Sequence, residues 1–235
     1  MDEQRVVTVD LGDDVHLLDP LMSGSEGITA GYLIASDRPC LIETGTARSA
    51  PAVRRALGAL GIGPQDLATI AVTHIHLDHA GGVGDLADAY PNAEIVVHER
   101  GARHLAEPDR LMDSARRVFG ELMDTVFGEL RPTDHARIRA VGETGEIDLG
   151  GGRTLTTYYS PGHAQHHVGL LDSTSGDLYV GDAAVIFIPD IGAIRPSTPP
   201  PAFDLETALA SLRHFAALAP PRLLFSPFGP VSPVG

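Results

Sequence analysis

The chain has 235 residues, of which 43% are hydrophobic, and this proportion favours a packed globular protein over an intrinsically disordered one. Its formal net charge of -14 repels phosphate backbones and anionic lipid surfaces, so we expect neither a nucleic-acid partner nor a membrane partner. The single cysteine, Cys40, excludes an internal disulfide, and the first residues contain no basic or apolar signal region. We therefore expect one domain over residues 1–235, located in the cytoplasm.

The first part of the chain alternates between β-rich runs and helical periodicity. Strands are predicted at residues 5–9, 15–18, 28–35 and 40–42, separated by turn residues. A helix is predicted from an N-cap at Ser49 to a stop at Gly61. Further along, strands at 69–73 and 94–98 flank a second predicted helix at 83–90. This alternation predicts an α/β layer in which helices cover a sheet.

Residues 109–130 interrupt that order with a continuous apolar stripe at helical spacing. We expect Gly120 and Gly128 to divide the stripe into two shorter helices. One interpretation is a helical insertion that packs on the core. The alternative is a lid or a dimer surface, because the methionine and phenylalanine side chains of the stripe make adaptable contacts. A dimer surface would make the protein a homodimer.

After Pro132 the β-rich pattern returns. Strands are predicted at residues 137–141, 146–149, 153–159, 167–171 and 178–180. The proline-rich segment 188–201 is predicted to lack regular structure. Asp204 is predicted to cap a last helix, and residues 223–226 are predicted to form a final strand.

The most informative cluster follows the predicted strand at 69–73. Three histidines and one carboxylate lie within six residues there, namely His74, His76, Asp78 and His79. A strand that ends in such a cluster presents its side chains at the rim of a sheet. Imidazole and carboxylate together suit Zn²⁺, Mn²⁺ or Fe²⁺, and three protein ligands with an open position are typical of a catalytic site. The sequence therefore predicts a metal site.

Two later loops carry residues of the same kind. His163 lies in the loop Ser160-Pro161-Gly162-His163, just past the predicted strand 153–159. Asp182 follows Gly181, just past the predicted strand 178–180. This layout is expected when several strands direct their ends at one site.

The order HxHxDH, then PGH, then GDA, with Glu43-Thr44-Gly45 upstream, resembles the metallo-β-lactamase-fold hydrolases of the glyoxalase II and lactonase type. The resemblance runs from about Cys40 to Ala183. It implies an α/β fold of four layers, αββα, in which two packed sheets are flanked by helices. It also implies that metals lie at the edge of the sheets.

The resemblance further implies roles for single residues. The first metal would be held by His74, His76 and His163, the second by Asp78 and His79, and Asp182 would bridge the two in a binuclear site. Zn²⁺ is the expected ion, with Mn²⁺ and Fe²⁺ as alternatives. As a catalytic residue, Asp78 would orient a metal-activated water and pass its proton to the leaving group. Glu43 occupies a position where the family usually has Asp, in a loop that supports the site.

The sequence departs from the family pattern near its end. The last ligand of the second metal is usually a histidine in a stretch resembling S-H-F-G-P, whereas this chain reads Ser226-Pro227-Phe228-Gly229-Pro230. Proline has no donor atom, so the second site is expected to be one ligand short.

Two residues near the PGH loop are candidates for contact with the substrate or for support of the ligands. His166 follows His163 by three positions in a G-H-x-x-H-H string that recurs in relatives of this group. Tyr159 lies beside the same loop and is a candidate pocket residue.

The leading hypothesis is a metal-dependent hydrolase that uses metal-activated water on an ester-like bond of a small-molecule substrate: a lactone, a thioester or a phosphoester. One alternative is a mononuclear iron enzyme of persulfide-dioxygenase type, with His74, His163 and Asp182 as ligands. Another is a non-catalytic metal-binding protein with a degraded second site.

Overall fold

The computed structural model describes residues 5–183, 186–188, 193–199 and 203–231. Its first sheet has seven strands in sequence order: β1 (Thr8–Gly12), β2 (Val15–Leu18), β3 (Gly31–Ile34), β4 (Cys40–Ile42), β5 (Thr69–Ala71), β6 (Glu94–His98) and β7 (Ile138–Val141). Neighbours from β1 to β4 pair antiparallel, and those from β4 to β7 pair parallel. The parallel strands therefore end at one common edge.

The remaining strands form a second sheet and a small separate pair. They are β8 (Thr144–Asp148), β9 (Thr154–Tyr159), β10 (Val168–Asp172), β11 (Leu178–Gly181), β12 (Ile186–Ile188), β13 (Ala193–Arg195), β14 (Leu223–Phe225) and β15 (Gly229–Val231). The six-stranded sheet has the order β15-β14-β11-β10-β9-β8, and β12 pairs with β13 alone. Within the six-stranded sheet only β11 and β14 are parallel neighbours.

Six α-helices connect and cover these sheets within the described residues. They are α1 (Ala50–Ala59), α2 (Leu77–Ala80), α3 (Val83–Ala89), α4 (Glu99–Ala106), α5 (Asp109–Phe119) and α6 (Leu205–Ala217). Short 3₁₀ turns occur at Met22–Gly24, Ala47–Ser49 and His135–Arg137. No helix among the described residues has the length and apolar composition that a membrane span requires.

The burial pattern defines four layers. Tyr32 and Ile42 of the first sheet and Tyr179 of the second share one apolar core between the sheets. The opposite face of the first sheet is covered by apolar residues of α1 and α3. Phe215 of α6 packs against Phe225 and its neighbours on the outer face of the second sheet. The predicted αββα architecture, two packed sheets flanked by helices, is therefore confirmed.

Residues 109–130, predicted to be a helical insertion, are divided at Gly120 and Gly128 as expected; that they are an insertion stays a prediction. α5 ends at Gly120, and a single turn of π-helix at Met123–Phe127 ends at Gly128. Met112 and Phe127 belong to the helix-side core, so part of the stripe packs on the body of the protein. Val118 and Leu122 are 70% and 52% exposed. A lid or dimer surface made by that exposed part stays a prediction.

Several elements differ from the sequence-based expectations. α4 was not predicted, because only Gly101 and Leu105 of this charged helix are buried. β15 was not predicted either, since its Pro230 cannot donate to a sheet and is tolerated only because β15 is an edge strand. Segment 188–201, predicted to be irregular, includes β13; its residues 189–192 and 200–201 lie outside the described part of the chain.

Candidate metal centre

The predicted site residues lie where strands of both sheets end at the same edge of the sandwich. In the first sheet, β4 leads into Glu43, and β5 leads through Thr73 into His74. In the second sheet, β9 leads into the loop of His163, and β11 leads into Asp182. The topology thus brings together side chains that are far apart in the sequence.

Three imidazoles form a tight group, which we call the first group: His74, His76 and His163. The Nδ1 atom of His76 lies 3.0 Å from Nε2 of His74 and 3.0 Å from Nε2 of His163. Burial lowers the pKa of His74 well below its usual value, that of His76 to about 4, and that of His163 as well. Neutral imidazoles have free ring-nitrogen lone pairs, so these three residues could hold one metal ion.

A second group, Asp78, His79 and Asp182, lies beside the first. Nε2 of His79 is 3.2 Å from Oδ1 of Asp182 and 3.4 Å from Oδ2 of Asp78. Burial opposes a charge on His79, but the carboxylates of Asp182, Asp78 and Glu43 outweigh it and raise the pKa of His79 well above its usual value. The second group therefore differs from the first in carrying charge.

Two buried polar atoms of the second group indicate that a cation would fit there. Nε2 of His79 and Oδ1 of Asp182 are buried, and although they lie 3.2 Å apart, neither forms a hydrogen bond of good geometry with any partner among the described residues. Unpartnered buried donors and acceptors are costly unless something else satisfies them. An imidazole nitrogen and a carboxylate oxygen that face the same small volume are a suitable donor set for a divalent transition metal.

Asp182 lies between the two groups. Its Oδ1 faces His79 at 3.2 Å, and its Oδ2 is 3.5 Å from Nε2 of His163. Each oxygen therefore faces a different group, as the bridging role implied by the family resemblance would require.

Glu43 connects two candidate ligand residues, His74 and His79, which follow β5 of the first sheet. Its Oε1 accepts a hydrogen bond from the Thr73 hydroxyl at 2.5 Å, and the same hydroxyl lies 3.0 Å from Nδ1 of His74. Oε1 is also 3.4 Å from Nδ1 of His79. Each of these nitrogens is the ring atom opposite the Nε2 that faces the proposed cation. Such outer partners fix the orientation and the tautomer of histidine ligands.

Two glycines explain why the PGH and GDA loops approach so closely. A Cβ on Gly181, whose φ is +48°, would lie 2.4 Å from Oγ1 of Thr73 at the end of β5. A Cβ on Gly162, whose φ is +134°, would lie 2.4 Å from the Cα of Ala208 in α6. Only glycine permits these contacts and these backbone angles. The backbone positions of the residues that follow, Asp182 and His163, are thereby fixed.

His166 lies in a layer behind the first group. Its Nδ1 accepts a hydrogen bond from the Ile75 N–H at 3.4 Å, and its ring is parallel to that of His74, with ring centres 6.2 Å apart. Burial lowers the pKa of His166 to about 3. The position fits the predicted supporting role, and contact with substrate stays a prediction.

Tyr159 supports the loop that carries His163. Its hydroxyl donates to the Gln165 carbonyl at 3.0 Å, and its ring stacks on His98 with ring centres 4.4 Å apart. The side chain therefore fastens the end of β9 to the loop that follows it. Its predicted role as a pocket residue stays a prediction.

Sequence reasoning missed Ser197. Its hydroxyl donates to Oδ2 of Asp182 at 3.1 Å, and its carbonyl oxygen lies 3.3 Å from Nδ1 of His163. It belongs to the proline-rich segment that was predicted to be irregular, and no motif or spacing marks it. Only the folded chain brings this serine to these two candidate ligand residues.

The departure at Pro227 falls in the turn between β14 and β15. Pro227 is buried, and the preceding Ser226 donates its hydroxyl to Oε1 of Glu43 at 3.1 Å. This segment therefore reaches the site through Ser226, whose contact supports Glu43, and proline offers no donor at the next position.

Comparison with known proteins identifies the family. Residues 24–226 match the model of the metallo-beta-lactamase superfamily. The chain is 33% identical over 167 residues to the metallo-beta-lactamase fold-containing protein ST1585 of Sulfurisphaera tokodaii, covering 70% of this chain and 61% of that protein. The crystal structure of the archaeal ST1585 matches with a TM-score of 0.80 at 27% identity, covering 94% of this chain and 82% of that chain.

Two further relatives have named activities. The N-acyl homoserine lactonase AttM of Azorhizobium caulinodans is 32% identical over 115 residues, covering 48% of this chain and 38% of the relative. The acyl-coenzyme A thioesterase MBLAC2 of Gallus gallus is 32% identical over 156 residues, covering 63% of this chain and 54% of the relative. The matched segments thus span less than two thirds of the length of these curated relatives. Family model, fold and site motifs agree, and the chain belongs to the metallo-β-lactamase superfamily.

Proposed function

We propose that the protein is a metal-dependent hydrolase that acts on an ester-like bond of a small molecule: a lactone, a thioester or a phosphoester. The observation that carries the proposal is the geometry of the first group. Nδ1 of His76 lies 3.0 Å from Nε2 of His74 and 3.0 Å from Nε2 of His163, so three ring nitrogens converge. Three ring nitrogens that converge in this way are a suitable donor set for one divalent cation. Relatives named as a lactonase and a thioesterase support the ester-like class of bond.

The proposed ligand set is His74, His76 and His163 for one ion, with Asp182 reaching toward a second ion at Asp78 and His79. A bound divalent cation, Zn²⁺ in the first place and Mn²⁺ or Fe²⁺ otherwise, supplies Lewis acidity and lowers the pKa of water. The second ion is expected to bind more weakly, because Pro227 provides no ligand.

The chain's own residues would handle the proton. The Asp78 side chain is 33% exposed, so one face of it is open to solvent and substrate. Burial opposes its ionisation, but the neighbouring His79 outweighs this and holds the pKa of Asp78 well below its usual value. An ionised Asp78 can accept a hydrogen bond from the attacking water, orient it, and pass its proton to the leaving alkoxide or thiolate.

The experiment compares the purified protein with His76→Ala on three substrate classes, namely an N-acyl homoserine lactone, an acyl-coenzyme A thioester and an aryl phosphoester. Each assay is run with added Zn²⁺, with Mn²⁺ and with chelator. We expect turnover of at least one class, abolished by the chelator and by His76→Ala. His135→Ala, which removes an exposed histidine, is the matched control and should retain activity.

The same preparation separates the alternatives. Oxygen uptake by the Fe²⁺-loaded protein with glutathione persulfide would instead indicate the iron oxygenase. Tight metal binding without turnover, which Pro227→His does not restore, would indicate the non-catalytic metal-binding protein. Either result would overturn the hydrolase.

A further inference from the structure

The four most buried ligand residues of the proposed centre are held from two opposite sides. Glu43 supports His79 directly and His74 through Thr73, all from the first sheet. The other two ligand residues, His163 and Asp182, come from the second sheet, and among the described residues neither is hydrogen-bonded to Glu43 or Thr73. Their partner is Ser197.

Ser197 makes a different contact with each of them. Its hydroxyl donates to Oδ2 of Asp182 at 3.1 Å, a charge-assisted hydrogen bond. Its carbonyl oxygen lies 3.3 Å from Nδ1 of His163, which places the ring proton on Nδ1 and leaves Nε2 unprotonated on the side of His76. One residue thus orients a carboxylate and selects a tautomer.

The two contacts of Ser197 orient side chains whose torsions the backbone alone does not determine. The close packing of Gly181 and Gly162 fixes the main chain before Asp182 and before His163, but it leaves their side-chain torsions free. Ser197 restricts both torsions at once. It keeps Oδ2 of Asp182 on the side of His163, so that Oδ1 is the oxygen that faces His79.

We propose that Ser197 is a positioning residue of the metal centre, which holds His163 and Asp182 in their metal-binding orientations. This inference rests on the proposed metal-dependent function. Partners of this kind typically contribute about 10-fold to 100-fold to metal affinity. Since Ser197→Ala removes the hydroxyl and keeps the carbonyl, we expect a loss near the lower end, about tenfold.

The test measures binding of the metal alone. Zn²⁺ affinity of the metal-free wild type, Ser197→Ala, Ser197→Thr and Thr198→Ala is measured by competition with a chromophoric chelator, and the visible spectrum of each Co²⁺-loaded protein is recorded. Thr198 is the matched control, because it is the neighbouring hydroxyl residue and is exposed. Thermal unfolding of the metal-free proteins checks that the variants fold equally well.

We expect Ser197→Ala to bind Zn²⁺ about tenfold more weakly and to alter the Co²⁺ spectrum. Ser197→Thr, which keeps the hydroxyl, should restore both properties, and Thr198→Ala should match the wild type. Unchanged affinity and spectrum in Ser197→Ala, with normal metal binding by the wild type, would overturn this inference and leave the hydrolase proposal intact. A wild type that binds no metal would overturn both.

Discussion

The first and second groups lie side by side at one edge of the sandwich, yet they differ in charge and in completeness. The first consists of three imidazoles with lowered pKa values, of which His74 and His163 are buried and His76 is half-buried, and its members converge at 3.0 Å. The second has one imidazole among carboxylates, and its His79 has a raised pKa. A cation entering the first group meets free lone pairs, whereas one entering the second must displace a proton.

The contrast extends to the residues around each group. Glu43 and Ser197 together support members of both groups, so orientation is provided for each. What the second group lacks is a donor at Pro227. We therefore expect one firmly bound ion and one weakly bound ion, and each prediction below can contradict that expectation.

The largest effect is expected from removing a member of the first group. His163→Ala should abolish tight metal binding and lower turnover at least about a hundredfold, which corresponds to about 2.7 kcal/mol in activation free energy. His79→Ala should leave the tightly bound ion in place. Metal content after gel filtration and kcat/KM are measured for both variants. His16→Ala, which removes a histidine on β2, is the control. Equal loss of metal from both variants would show that the groups are not independent.

A smaller effect is expected from substituting Glu43, whose carboxylate supports members of both groups. Glu43→Gln keeps the shape of the side chain but removes its charge and one acceptor oxygen, so we expect metal affinity to fall about 10-fold to 100-fold. The weakly bound ion should be lost first, because Glu43 contacts His79 directly and His74 only through Thr73. Titration calorimetry with Zn²⁺ measures both affinities.

Glu146→Gln is the control for this substitution, since it removes one negative charge at an exposed position on β8. Affinities in Glu43→Gln that equal those in Glu146→Gln would mean that Glu43 contributes only general charge.

The smallest change, and the most informative about the second group, is expected from Pro227→His. An added imidazole at this buried turn should raise the occupancy of the weak ion, with little effect on the tight one. Elemental analysis of both proteins gives the stoichiometry. Pro230→His, which adds a histidine at an exposed position of β15, should not change it. If Pro227→His binds no additional metal, the second group is limited by something other than the missing donor.

The sequence was sufficient to predict the architecture, and it named residues that the fold brings together at the candidate centre; that they bind a metal stays a prediction. Local patterns identified the buried strand before His74 and the loops that carry His163 and Asp182, because each combines an apolar run with glycine and a ligand-type side chain. Glu43 was expected to support the site, and its contacts agree with that role. The family resemblance added the grouping of the ligands.

Other features depend on tertiary contacts that no local pattern encodes. Ser197 was missed because a serine in a proline-rich segment carries no periodicity, and its contacts join positions 34 and 15 residues apart in the chain. α4 was missed because it buries very little apolar surface. Whether the exposed part of the insertion covers a substrate was also not predictable, since exposure alone does not define a partner.

The origin of the ligands on both sheets has a consequence for the unfolded chain. His76 and His163 are separated by 87 positions, and their ring nitrogens meet at 3.0 Å only when the two sheets have docked. A cation held by both would bind the folded chain and not the unfolded one, so it would stabilise the fold by an amount that grows with the concentration of free ion, about 2.7 kcal/mol at 100 times its Kd. With a single cysteine, the chain cannot form an internal disulfide. The ion proposed for the chemistry would thus also stabilise the docking of the two sheets, so metal binding and sheet docking would be thermodynamically linked.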